Sequence, residues 1–122
     1  MNKNIFKVFG VFLVLGALII LGAGCAKTPS PLEEYAGAYQ KGEVNVSIQN
    51  FAFNPSAFGI EKGTRVTWNN NDDVSHRVQL DTGVGSMEMK EGDTWFFVFK
   101  ESGKYTYHCS IHPSMVGTIY VK

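Results

Sequence analysis

From Glu43 onward, hydrophobic and polar residues alternate. Val44, Val46 and Ile48 are separated by Asn45, Ser47 and Gln49, the pattern of a half-buried strand. Phe51, Phe53 and Pro55 follow, and Phe58 to Ile60 is a further extended piece closed by the turn residue Gly63. Arg65 to Asn69 is rich in β-branched and aromatic side chains, and the run from Asn69 to Asp73 has strong turn composition. His76 to Leu80 alternates again, and Met87 to Met89 reads as a short strand. Thr94 to Phe99 is apolar on both faces, as an inner strand of a sandwich would be. Tyr105 to Cys109 and Gly117 to Val121 complete the series. Seven or eight short strands at even spacing predict an all-β antiparallel sandwich or barrel. Trp68, Trp95, Phe97, Tyr105 and Tyr107 are its expected core aromatics.

The first residues follow a different pattern. A short basic start with Lys3 and Lys7 precedes a charge-free run from Val8 to Ala26, the layout of a secretory signal. The segment Leu21-Gly22-Ala23-Gly24-Cys25 resembles the lipobox of bacterial lipoproteins, in which the cysteine is lipidated and becomes the mature N-terminus. That pattern usually has Leu three residues before the cysteine; here Gly22 stands there and Leu21 one step earlier. An uncleaved membrane helix and ordinary cleaved secretion are the alternatives. All three put the body outside the cytoplasm, on a membrane surface in the first two. The division is therefore residues 1–24 signal peptide, 25–42 lipidated cysteine and flexible tether, and 43–122 folded domain. Within the tether, Leu32 to Gln40 can form a short helical turn.

Composition sharpens this division. The 122 residues carry 11 basic and 11 acidic side chains. Removing Lys3 and Lys7 leaves the body two basic residues short of its acids, so the zero net charge describes no single surface. Nothing in the balance suggests a nucleic-acid partner. The two cysteines have separate roles, lipid at Cys25 and chemistry at Cys109, in preference to a disulfide between them. Three histidines are too few for a multicopper oxidase or a nitrite reductase, and the chain is expected not to be an enzyme.

The chemistry gathers near the C-terminus. Cys109, His112 and Met115 stand three residues apart, with Pro113 to stiffen the loop between them and Gly117 to let the chain leave. Thiolate, imidazole and thioether form a soft ligand set, which selects copper. A trigonal site needs a second imidazole, and His76, after the polar turn, is available. Zinc would accept Cys with two His, but a thioether is a poor zinc ligand and a common weak axial ligand of blue copper. His108 neighbours Cys109 in a strand, so its side chain points to the opposite face. Met87 and Met89 fit packing better than a second Cu(I) site.

These residues give the body a resemblance to the cupredoxins, most closely the amicyanin and plastocyanin group. The resemblance runs from about Val44 to Lys122. It is carried by Phe53-Asn54-Pro55, the stretch Gly63 to Asn70, the isolated His76, Gly103 to Cys109, and Met115 to Val121; the short Cys-x-x-His-x-x-Met loop is that of amicyanin. It implies a Greek-key β-sandwich and one type 1 copper on His76, Cys109, His112 and Met115. It also implies one-electron transfer to redox partner proteins near His112, with no small-molecule substrate. A copper carrier or metallochaperone that delivers or buffers copper is the rival function. Phe53, Pro55 and Pro113 are the expected docking patch around His112. Two residues depart from the pattern. Ile111 replaces the usual proline before the second histidine, adding an N–H able to reach the Cys109 sulfur. Arg77 replaces the usual asparagine; the resemblance implies that its backbone N–H still donates to the thiolate, while side-chain contacts between the ligand loops are lost.

Overall fold

A computed structural model describes Gly24 and residues 29–122. The signal sequence and Cys25 lie outside the described residues. Nine strands build the fold: β1 Tyr39–Gln40, β2 Glu43–Gln49, β3 Ala52–Asn54, β4 Ala57–Ile60, β5 Thr64–Asn70, β6 Val78–Leu80, β7 Thr94–Phe99, β8 Gly103–Cys109 and β9 Val116–Val121. Among the described residues no helix is long and apolar enough to cross a membrane.

The strands form two sheets, ordered β1-β4-β9-β8-β6 and β3-β2-β5-β7. Alternation works as expected in β2, where Val44, Val46 and Ile48 are buried and their neighbours are not. The inner faces meet on Val46, Trp68, Phe99, Tyr107 and Ile119, all essentially inaccessible. The sheets are mixed, not purely antiparallel: β2 pairs with β5, β4 with β9 and β1 with β4 in parallel. Parallel neighbours arise because only β2–β3 and β8–β9 are consecutive strands that pair; the other connections from β3 to β8 cross between sheets.

Three further sequence expectations need correction. The segment assigned to the tether already belongs to the fold near its end. Tyr39 and Gln40 pair with Gly59 and Ile60, and Tyr35 stacks on Tyr120 at 4.8 Å between ring centroids. Gly59 makes this possible, since a side chain there would collide with the Tyr35 ring. Pro31 to Glu33 form a turn, not a helix. Strand β7, read as an inner strand, is an edge. Trp95, Phe97 and Tyr105 pack only partly buried against the core, while Phe96 faces outward at 50% exposure. The Arg65 guanidinium covers that ring, 3.6 Å from its centre, so apolar character on both faces reflects a cation–π cover and not two buried faces.

Candidate metal centre

The site lies where β8 ends beside the segment leading into β6. Val78 pairs with Cys109, which places the residues before β6 next to the end of β8. His76 joins this edge through a reciprocal bridge with Met89: His76 N donates to Met89 O at 3.0 Å and Met89 N to His76 O at 2.8 Å. Asn70, buried at the end of β5, shapes the intervening turn. Its amide donates to the carbonyls of Val74 and Met89, and its oxygen accepts from Asp72 N. The polar run recognised as turn composition is thus a built loop that delivers His76 into the interior.

The C-terminal loop is equally defined by its backbone. Met115 N donates to His112 O and Cys109 N to Met115 O, both at 3.0 Å, which folds the loop back on itself and buries Met115. Gly117 then gives room to Tyr107, whose ring occupies the space of any side chain at that position.

His76, Cys109 and His112 meet as expected. Cys109 Sγ is 3.7 Å from His76 Nδ1 and 3.9 Å from His112 Nδ1, and the two Nδ1 atoms are 3.3 Å apart. The point equidistant from these three atoms lies about 2.1 Å from each, the length of a metal bond to imidazole and close to the roughly 2.3 Å of one to thiolate. Three soft donors in a triangle of this size, with buried Met115 following on the same loop, suit type 1 copper better than the closed tetrahedron of zinc. His108 points away, its Nδ1 3.2 Å from Asp81 Oδ1 on the outer face. Met87 is 86% exposed while Met89 is buried, so the two face different environments.

Three further residues complete the surroundings. Asp72 Oδ2 lies 2.7 Å from His76 Nε2, with both groups buried. An ionised carboxylate only accepts hydrogen bonds, so the proton sits on Nε2 and the Nδ1 lone pair faces the centre. Asp72 also accepts from Asn50 N at 2.6 Å and Phe51 N at 3.0 Å. Burial alone would raise its carboxyl; the hydrogen bonds from Phe51, His76 and Asn50 outweigh this and hold it below the ordinary 3.8. Phe51 sets its ring edge-on against both imidazoles, with centroids 5.0 Å from His112 and 5.6 Å from His76. Asn50 and Phe51 both have left-handed backbones, at φ 52° and 55°. For residues with a side chain, such conformations cost roughly 1–3 kcal/mol each.

The expected docking patch and the reading of Ile111 change accordingly, while the Arg77 N–H sits where it was expected. Phe53 is buried against Tyr107, so Phe51 and not Phe53 borders His112. Alternation was misjudged there because residues 50 and 51 form the turn between β2 and β3 and do not continue the strand. Among the described residues, the backbone N–H recorded on the Cys109 sulfur is that of Arg77, at 3.4 Å, and not that of Ile111. Loss of asparagine contacts at Arg77 is offset by the backbone, since Ser110 N donates to Arg77 O at 3.0 Å. Asp72 escaped the sequence reading because an aspartate in a polar turn needs no further explanation; its place four residues before His76 was the available signal.

Comparison with known proteins agrees with this geometry. The family model for copper binding proteins of the plastocyanin/azurin family matches residues 40–122. Amicyanin of Paracoccus denitrificans is 31% identical over 118 residues, covering 89% of each chain. The oxidised state of an amicyanin point mutant superposes with TM-score 0.63 at 28% identity, over 66% of this chain and 83% of the other. A copper-containing nitrite reductase of Thermus scotoductus superposes with TM-score 0.62 at 28% identity, but only over 22% of that larger chain. The chain belongs to the plastocyanin/azurin family of copper-binding proteins, the cupredoxins, and binds one type 1 copper.

Proposed function

We propose that this protein is a one-electron carrier at an extracytoplasmic membrane surface. His76 Nδ1, Cys109 Sγ and His112 Nδ1 serve as the strong ligands and Met115 as the weak axial one. The observation that carries this reading is the triangle of three donor atoms, already at metal-bond distance from one centre. Bound copper supplies the Cu(II)/Cu(I) couple. The protein supplies a frame that holds still. Asp72 fixes the tautomer and direction of His76, Arg77 N–H donates to the thiolate, and two backbone hydrogen bonds close the loop around His112. A donor set held in this way changes little between oxidation states, which keeps the reorganisation on electron transfer small. His112 is half-buried, with exposed Ile111 and Pro113 beside it in sequence, and is the port through which a redox partner exchanges electrons.

Burial of the site favours a carrier of electrons over a donor of copper, since His76 and Cys109 are both inaccessible to solvent. A lipid on Cys25 would confine the domain to the membrane and raise its effective concentration near membrane-bound redox enzymes. Copper(II) added to the full-length protein in detergent is expected to give an intense blue thiolate-to-copper band that disappears in Cys109→Ser. A colourless protein that takes up zinc in preference would overturn the assignment. Lipidation is checked separately by the mass of the N-terminal peptide and its loss in Cys25→Ala.

A further inference from the structure

We infer that Asp72 and the Asn50–Phe51 turn form a latch that retains copper, with Phe51 as its cover and Asp72 as the positioning residue. The inference rests on the copper site proposed above.

The argument starts from an oddity of the β2–β3 hairpin. Gln49 pairs with Ala52, which leaves Asn50 and Phe51 as a two-residue loop with both backbones left-handed. Such loops favour asparagine followed by glycine, because glycine adopts this backbone without steric penalty. Here a phenylalanine occupies the glycine position. Its side chain is 52% exposed, so burial in the core does not account for it. The ring instead packs nearly perpendicular to two imidazoles, one fully buried and one partly. Phe51 therefore lies on the solvent side of the donor triangle.

Asp72 makes this conformation hold. Both of its oxygens accept from the amides of the turn, Oδ1 from Asn50 and Oδ2 from Phe51, and Oδ2 also meets His76 Nε2. One carboxylate thus fastens the cover to a ligand of the ion it covers. Departure of copper requires His112 or His76 to swing away, and both rings are braced by Phe51. An unfavourable backbone is kept in place by hydrogen bonds whose other end is the metal site, which links slow copper exchange to the shape of a surface turn.

The test compares Phe51→Gly and Asp72→Asn with the wild-type full-length protein. All are loaded with Cu(II), checked for the blue band, reduced, and mixed with the Cu(I) chelator bathocuproine disulfonate. Phe51→Gly is expected to keep the band, to be at least as heat-stable as wild type when metal-free, and to yield Cu(I) about tenfold faster. Asp72→Asn is expected to accelerate amide hydrogen exchange at Asn50 and Phe51 in the metal-free protein, and to speed Cu(I) release. Adding Phe51→Gly to Asp72→Asn should bring no further acceleration. A wild-type release rate in Phe51→Gly overturns the latch, as does full multiplication of the two effects in the double variant. A wild-type protein without a blue band would instead overturn the copper assignment itself.

Discussion

His76 and His112 turn the same nitrogen, Nδ1, toward the centre of the proposed copper site, yet the fold holds them in opposite ways. His76 is inaccessible, bridged through its backbone to Met89 and through Nε2 to Asp72, which is itself anchored to the β2–β3 turn. His112 sits on a short loop, half-buried, with Ile111 beside it at 42% exposure. Its recorded side-chain neighbours are the other donors and the Phe51 ring. One imidazole is part of the core that happens to bind metal, and the other is part of the surface. A site for electron transfer needs both, because a rigid ligand limits reorganisation and an accessible one brings a partner close.

The comparison breaks most visibly when each histidine is removed. His76→Ala is expected to abolish the blue band and to destabilise the metal-free protein by ~2–4 kcal/mol, because it opens a cavity and leaves a buried carboxylate short of a donor. His112→Ala should also lose the band but cost less than ~1 kcal/mol. Added imidazole should restore the band in His112→Ala alone, since solvent reaches that position and not the other. Denaturant titration and the visible spectrum check both statements. Equal losses of stability would mean that the two ligands are held alike.

Acid provides a second, smaller separation. The carboxyl of Asp72 is depressed in the folded state, so its contribution is present above the ordinary 3.8 and is lost as pH falls through the lower folded value. Metal-free protein is therefore expected to lose stability below about pH 4, and Asp72→Asn to flatten that decline. Denaturation midpoints measured across about pH 2–6 decide this. An unchanged slope in Asp72→Asn would show that the clasp adds nothing to folding.

The same contrast explains what was legible in the sequence. Ligands on one loop announce themselves, since Cys109, His112 and Met115 share a spacing that a single turn can satisfy. His76 was found because few histidines competed for the role. Alternation placed β2, β5 and β8 well, as each buries one regular face. It failed at β7, where a cation covers an exposed ring, and at Phe51, where a left-handed turn interrupts the period. The link from Asp72 to the β2–β3 turn was invisible for a related reason. Asp72 reaches Asn50 and Phe51 across 22 and 21 residues of sequence through their backbone amides, and any residue but proline supplies an amide.

On the surface side the expected effects are kinetic. Ile111→Asp places a charge beside His112, so two molecules meeting at this face repel each other. Electron self-exchange, measured by NMR line broadening in mixtures of oxidised and reduced protein, is expected to slow about tenfold while the denaturation midpoint stays within ~0.5 kcal/mol of wild type. Unchanged self-exchange would move the port away from His112.

The smallest effect is expected from Ile111→Pro. Proline removes the Ile111 N–H, expected from the sequence to reach the Cys109 sulfur, and a lost hydrogen bond to a thiolate favours Cu(II) and lowers the potential. The sulfur, however, takes its recorded N–H from Arg77, on the rigid side of the site. Removing an amide that does not touch the sulfur leaves the charge on the ligand unchanged. Voltammetry should therefore show a shift well below ~60 mV, the equivalent of one factor of ten for a one-electron couple. A drop larger than that would place the Ile111 amide on the sulfur in the copper-loaded protein. The loop carrying His112 would then be fastened to the thiolate from its own side, and the contrast between a clasped and a free imidazole would narrow to the single carboxylate of Asp72.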